Sequence, residues 1–124
     1  MRRVIGVGGV FFKARDPEKL YLWYEKHLGI KRADPSSAIF SNQDDESGLT
    51  VWSIFPADTR YFDPSTAPFM FNYRVENLDA LLEALTAEGV SIDPKREQYE
   101  YGKFAWIYDP EGNKIELWEQ TGSS

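Results

Sequence analysis

One stretch of this chain is written twice. Gly9-Val10-Phe11-Phe12-Lys13-Ala14-Arg15-Asp16 and Met70-Phe71-Asn72-Tyr73-Arg74-Val75-Glu76-Asn77 are both strand-like runs that end in a helix-capping Asp or Asn. Their offset is 61 residues at both ends. A chain built from two copies of one unit tends to bring equivalent positions together around a shared cleft. The repeat is too long and too few in copies for a solenoid, so duplication of one module is the better account.

The flanking signals agree. Asp16-Pro17 supplies an N-cap carboxylate and a proline at the first helical position. Leu20, Trp23, Tyr24, His27 and Leu28 recur at three- and four-residue spacing, which predicts one buried helix face, and Gly29 ends the helix. A short segment near Ile30–Arg32 and strands near 38–41 and 49–55 follow, with Gln43–Gly48 as a hairpin loop. The irregular stretch Pro56–Ala67 is the boundary, and its Tyr61-Phe62 pair suggests that it folds back over something apolar. The pattern then restarts. Phe69–Val75 reads as a strand, Asn77 caps a helix with Leu78, Leu81, Leu82 and Leu85 on its core stripe, and Gly89 closes it. Val90–Ile92 reads as a short strand, and 104–108 and 114–118 as a hairpin about Asp109-Pro110-Glu111-Gly112-Asn113. Strand, helix and three strands, performed twice, make one α+β domain of two βαβββ modules, about 1–60 and 61–124.

Composition narrows the functions. Hydrophobic residues at 42% and aromatics at 15% suit a globular core. With no cysteine, thiolate metal sites and cysteine nucleophiles are excluded. A net charge of −6 argues against non-specific nucleic-acid binding and is compatible with a cationic ligand. No segment approaches the ~20 apolar residues of a membrane span. The expected compartment is the cytoplasm. The lone His27 reads as a helix-face residue, and Gly6-Val7-Gly8-Gly9 lacks the third glycine of a dinucleotide fingerprint.

Alternation separates two strand faces. Val10, Phe12, Ala14, Val51, Ser53, Phe55, Phe71, Tyr73, Val75, Ile115 and Leu117 are mostly apolar and are expected under the helices. The opposite set mixes rings, charges and an amide, as a ligand cavity does: Phe11 and Lys13; Trp52 and Ile54; Met70, Asn72 and Arg74; Glu116 and Trp118. Tyr99 and Tyr101 precede a cleft strand and are either a rim that touches ligand or an ordinary solvated loop. Trp52 and Trp118 either stack on a flat or cationic ligand or fill the core.

The order of elements, Asp16-Pro17, Trp23-Tyr24 ahead of Leu28-Gly29, and the closing run Asp109 to Leu117 resemble the vicinal oxygen chelate superfamily, which includes glyoxalase I, bleomycin-resistance proteins and extradiol dioxygenases. The resemblance covers nearly the whole chain. It implies a mixed sheet curled around a cavity with helices on its outer face, and a homodimer. In metal-dependent members one divalent ion is held on four central strands. Those positions fall on Gly9, about Trp52, Met70 and Glu116, of which only Glu116 is a suitable donor, so no metal and no cofactor are expected.

The expected function is metal-independent binding of a small molecule, similar to the bleomycin-resistance branch. The alternative is a glyoxalase-type lyase or isomerase of a small carbonyl compound, with Glu116 as general base and Arg74 or Lys13 as electrophile. Glu116 is otherwise a leftover carboxylate paired with Arg74, Lys13 or Lys114.

Overall fold

The computed structural model describes residues 2–42 and 45–121, apart from the side chains of residues 42 and 45–47. The first half gives β1 (Val4–Ala14), α1 (Pro17–Leu28), β2 (Ala38–Asn42) and β3 (Asp45–Pro56). The second gives β4 (Phe69–Val75), α2 (Leu78–Ala87), β5 (Ser91–Tyr99), β6 (Gly102–Tyr108) and β7 (Lys114–Gln120). Both helices start as their sequences dictate. Asp16 accepts from the Lys19 N–H at 3.1 Å and Asn77 from the Ala80 N–H at 3.0 Å, each satisfying an orphan donor of the first turn. Gly29, at φ 70°, closes α1 in the left-handed conformation.

All strands join one mixed sheet in the order β2-β3-β1-β4-β7-β6-β5. The two halves follow the same path. In each, the first strand pairs in parallel with the last, β1 with β3 and β4 with β7. Antiparallel pairing of β1 with β4 joins them. The sheet is α+β, mixed and open, as expected, but the halves are unequal. No strand forms at 30–32, so the first half has two strands after its helix where three were expected. Arg32 forks onto Glu18 of α1 at 2.7 and 2.9 Å and lies over the Tyr21 ring. Asp34 then turns the chain sharply, accepting from the Ser36 N–H and the Ser37 hydroxyl. That geometry leaves no extended run to pair with β2. Part of the expected Gln43–Gly48 loop is taken up by β3, which begins at Asp45; Gln43 and Asp44 lie outside the described residues.

Two cores form, one on each face. Under α2, Leu78, Leu81 and Leu82 pack on Val75, Ala105 and Leu117. On the concave face, Phe62 from the inter-half loop is 0% exposed and packs with Phe11, Met70 and Trp106. The expected fold-back of Tyr61-Phe62 is therefore present. The face of α1 is displaced from expectation. Tyr21 is its buried residue, whereas Trp23 is 50% exposed and His27 and Leu28 are exposed too. Tyr21 fixes the helix through its hydroxyl, which accepts from the Ile54 N–H at 2.8 Å and donates to the Ser36 carbonyl at 2.5 Å.

Candidate functional site

The strand register builds a floor. Gly9 sits opposite Val51 of β3 and Asn72 of β4; Asn72 is beside Glu116 of β7, and Glu116 opposes Trp106 of β6. Directly opposed residues share a sheet face. The row Val51, Gly9, Asn72, Glu116, Trp106 therefore crosses the middle of the concave side. Its first two members offer only alkyl surface and backbone, and all its polar groups come from the second half.

Glu116 is the centre of that row and is 3% exposed. Three donors hold it. Asn72 Nδ2 donates to Oε1 at 2.6 Å, Trp106 Nε1 donates to Oε2 at 2.9 Å, and the Tyr61 hydroxyl also donates to Oε2. None of the expected partners, Arg74, Lys13 or Lys114, pairs with it among the described residues; Lys114 Nζ instead donates to the Tyr61 carbonyl at 3.0 Å. Burial raises the Glu116 carboxyl above its ordinary value, and the three donors only partly offset that. Tyr61 is raised as well, first by burial and then by the adjacent carboxylate. Trp106 and the Asn72 amide nitrogen can only donate. If Glu116 takes up a proton, the Tyr61 oxygen is thus the one acceptor among its three partners.

Above this floor is a cleft of about 380 Å³. One wall carries Tyr99, Tyr101, Phe104 and Trp118; the other carries Phe11 and Val51. Tyr99 and Tyr101 stack with centroids 5.3 Å apart and planes 11° from parallel, and Phe104 stacks on Trp118 at 5.8 Å and 10°. Glu97 stands at the rim, 3.0 Å from Lys95 and accepting from the Tyr99 hydroxyl at 2.7 Å. Two glycines make the space. A Cβ on Gly8 would lie 2.2 Å from Asn72 Oδ1, and one on Gly102 would lie 2.2 Å from Trp118 Nε1. Bare backbone there lets the amide and the indole lie flat against the sheet.

Of the residues expected from sequence, Phe11, Asn72, Tyr99, Tyr101, Glu116 and Trp118 line this cleft. Met70 is on the same face but buried against Phe11 and Phe62. Lys13 lies over the Phe62 ring, and Arg74 is buried along the floor beside Gly6 and Gly8; neither lines the cleft. Trp52 and Ile54 are corrections. The parallel register Gly9 to Val51 puts the odd positions of β3 on the concave side, so Trp52 packs on Tyr21 and Tyr24 of α1 and Ile54 is buried beneath the same helix. Tyr99 and Tyr101 are not in an ordinary solvated loop: Tyr99 ends β5, a tight turn falls at Glu100-Tyr101, and β6 starts at Gly102. Sequence reasoning passed over Tyr61, Val51, Glu97, Phe104 and Trp106 as site residues. Trp106 was within reach, because a hairpin closed at Asp109–Asn113 with Tyr108 opposite Lys114 puts Trp106 opposite Glu116.

The implied metal positions can be tested on the donor set. Of the four implied positions, Gly9, Met70 and Glu116 lie on the concave face and Trp52 does not, Val51 standing there instead. A valine, a glycine, a buried thioether and a carboxylate already held by three donors do not fit a hard divalent ion. Among the described residues no group of three or more His, Asp or Glu converges anywhere. No helix is long and apolar enough to cross a membrane.

Solved structures share this architecture. Methylmalonyl-CoA epimerase from Mycobacterium tuberculosis is 18% identical, with 98% of this chain and 91% of that one covered and a TM-score of 0.72. A superfamily member from Vibrio splendidus is 11% identical over 92% and 97% of the two chains, TM-score 0.61. The Mn(II)-bound glyoxalase from Novosphingobium aromaticivorans is 16% identical over all of this chain but only 42% of its own, TM-score 0.61. At such identities these likenesses concern the fold. No curated protein sequence matches the chain. The family description itself matches residues 8–117, nearly the whole sequence, and so the chain belongs to the Glyoxalase/Bleomycin resistance protein/Dioxygenase superfamily.

Proposed function

We propose that this protein binds a small organic molecule in the concave cleft without a metal ion. The observation that carries the reading is the state of Glu116. Its oxygens are held by Tyr61, Asn72 and Trp106 at the bottom of an aromatic-walled cleft of a size usual for small ligands. A carboxyl locked in this way is a fixed recognition group. Titration of candidate ligands, read by the fluorescence of Trp106 and Trp118, tests it; ligands that leave both indoles unchanged while binding elsewhere would overturn it.

A second reading has one observation in its favour. Burial moves Glu116 up toward the range where a carboxylate serves as a proton acceptor. Neighbours of the same fold include an epimerase and a glyoxalase, so proton abstraction beside a carbonyl is the form it takes. Against it, neither Lys13 nor Arg74 lines the cleft to act as electrophile. Wash-in of solvent deuterium next to the carbonyl of added thioesters, lost in Glu116→Gln, is the decisive measurement; no wash-in leaves the binding reading in place.

Homodimerisation and a cytoplasmic location belong to the same proposal. The Phe69 and Phe71 rings meet at 5.5 Å, tilted by 50°, and stay substantially exposed, which offers apolar surface to a second copy. Light scattering of the wild type and of Phe71→Glu checks the dimer.

A further inference from the structure

We infer that the cleft selects a ligand with a cationic nitrogen directed at its floor and a flat body lying between its walls; a protonated arylalkylamine is the simplest such molecule. This rests on the small-molecule reading above and adds the chemistry of the occupant.

The floor is short of donors. Tyr61 and Trp106 each give their single hydrogen to Glu116, and Asn72 Nδ2 gives it one of its two. Two acceptors are left over: the remaining lone pair of Glu116 Oε1, and Asn72 Oδ1, which is buried without a hydrogen-bond partner among the described residues. The amide cannot be turned to repair this, because Oδ1 would then face a carboxylate oxygen. A ligand that complements the floor must therefore bring N–H or O–H groups.

Charge decides between those. Among the described residues no lysine or arginine lines the cleft, whereas Glu97 and Glu116 do. Glu97 already has Lys95. Glu116 has no ion pair among the described residues: Lys114 Nζ lies over the Tyr61 and Trp106 rings, within reach of its field but not touching it, so a ligand ammonium would be the first cation in direct contact. The walls add to this preference. The faces of Tyr99, Tyr101, Phe104 and Trp118 attract cations and stack on flat groups, and they repel anions.

Three probes that share one ring system test it: tryptamine, the neutral alcohol tryptophol, and indole-3-acetate. Affinities are measured by calorimetry, and the site is confirmed by shifts of the Trp106 and Trp118 indole N–H resonances. Tryptamine is expected to bind about tenfold or more tighter than tryptophol, through a charge-assisted bond and cation–π contact, with indole-3-acetate weakest. Glu116→Gln should shrink the tryptamine advantage to about twofold or less, the charge assistance being lost. Tyr101→Leu, at an exposed position, should weaken all three in parallel. The wild-type ranking stands even where the Glu116 variant does not fold. Equal or tighter binding of tryptophol or indole-3-acetate overturns the cation inference and leaves the small-molecule reading intact. Failure of all three to move either indole resonance overturns the cation inference, while binding of them elsewhere with both indoles unmoved overturns the small-molecule reading too.

Discussion

Replacing Tyr61 by phenylalanine isolates one hydrogen bond in the site. The ring is held independently of its hydroxyl: it stacks on Phe55 at 5.5 Å and 19°, and meets Trp106 edge-on at 6.2 Å. A phenyl ring at this position can keep both contacts, so Tyr61→Phe changes the Glu116 shell and little else. Loss of a bond to a charged group costs about 1.5–3 kcal/mol, and loss of a neutral one about 0.5–1.5. Burial favours the neutral carboxyl, so the charge state of Glu116 sets which range applies. Near neutral pH we expect a loss of about 1–2 kcal/mol, against a site that keeps Asn72 and Trp106 as donors. For a chain of this length that lowers Tm by about 3–8 °C. Urea unfolding followed by circular dichroism gives the free energy, and NMR titration of the Glu116 carboxyl gives its protonation. Removing a donor to the carboxylate should raise that titration further. A Tyr61→Phe protein with wild-type stability and an unmoved Glu116 titration would refute the account of loop 57–68 as tied to the floor through this hydroxyl.

The other predictions concern space, register and pH. Gly8→Ala puts a methyl 2.2 Å from Asn72 Oδ1 and 2.9 Å from Arg74 Cγ, and should cost about 1–3 kcal/mol in chemical denaturation because the amide is pinned to Glu116. Trp52→Ala should destabilise by about 2–4 kcal/mol, since it empties the space between β3 and α1, and leave ligand affinity untouched. Tyr101→Ala should do the reverse: at 58% exposure its loss changes stability by about 0.5 kcal/mol or less, but binding weakens. On the acid side, the Tyr108 hydroxyl and the Lys95 N–H hold Asp93 below its ordinary value, so its contribution is present above pH 3.8 and lost as pH falls through the folded value. Glu116 works with the opposite sign. Its folded value is raised, so its contribution is full below 4.5 and declines as pH climbs to the folded value; stability profiles of Glu116→Gln should lack that decline.

How much of this was legible depended on whether a local rule fixed the outcome. The helix starts at Asp16 and Asn77 and the α2 stripe follow from capping and period alone, whereas the pairing of the two halves came only with the family resemblance. The face of β3 did not follow from such rules. Leu49–Phe55 is apolar in both phases, so alternation cannot choose, and only the register against Gly9 does. The α1 stripe failed for a related reason. Trp23 and Leu28 fit a helical period, but the polar-tipped Tyr21 took the buried place because β3 and the turn at Ser36 offered its hydroxyl both a donor and an acceptor. Tyr61 was beyond any periodic argument, since its placement depends on where a loop of irregular sequence crosses the floor.

The site is chemically one-sided although the two halves follow the same strand path. Equivalent strands of the two halves meet at the floor, yet β1 sets Gly9 opposite Asn72 and Gly6 opposite Arg74, and Gly9 has Val51 of β3 on its other side where Asn72 has Glu116 of β7. The bare half is not idle. Without side chains at Gly6 and Gly8 the Arg74 guanidinium and the Asn72 amide can lie across the seam. Placing a donor at Gly9 would therefore not make a symmetric metal site. Its Cβ would already stand 2.8 Å from the Phe11 ring, and Glu116 would have to release Tyr61, Asn72 and Trp106 before it could turn to a cation. The first half serves as a socket for the second, and at the floor they share a carboxylate is held by neutral donors.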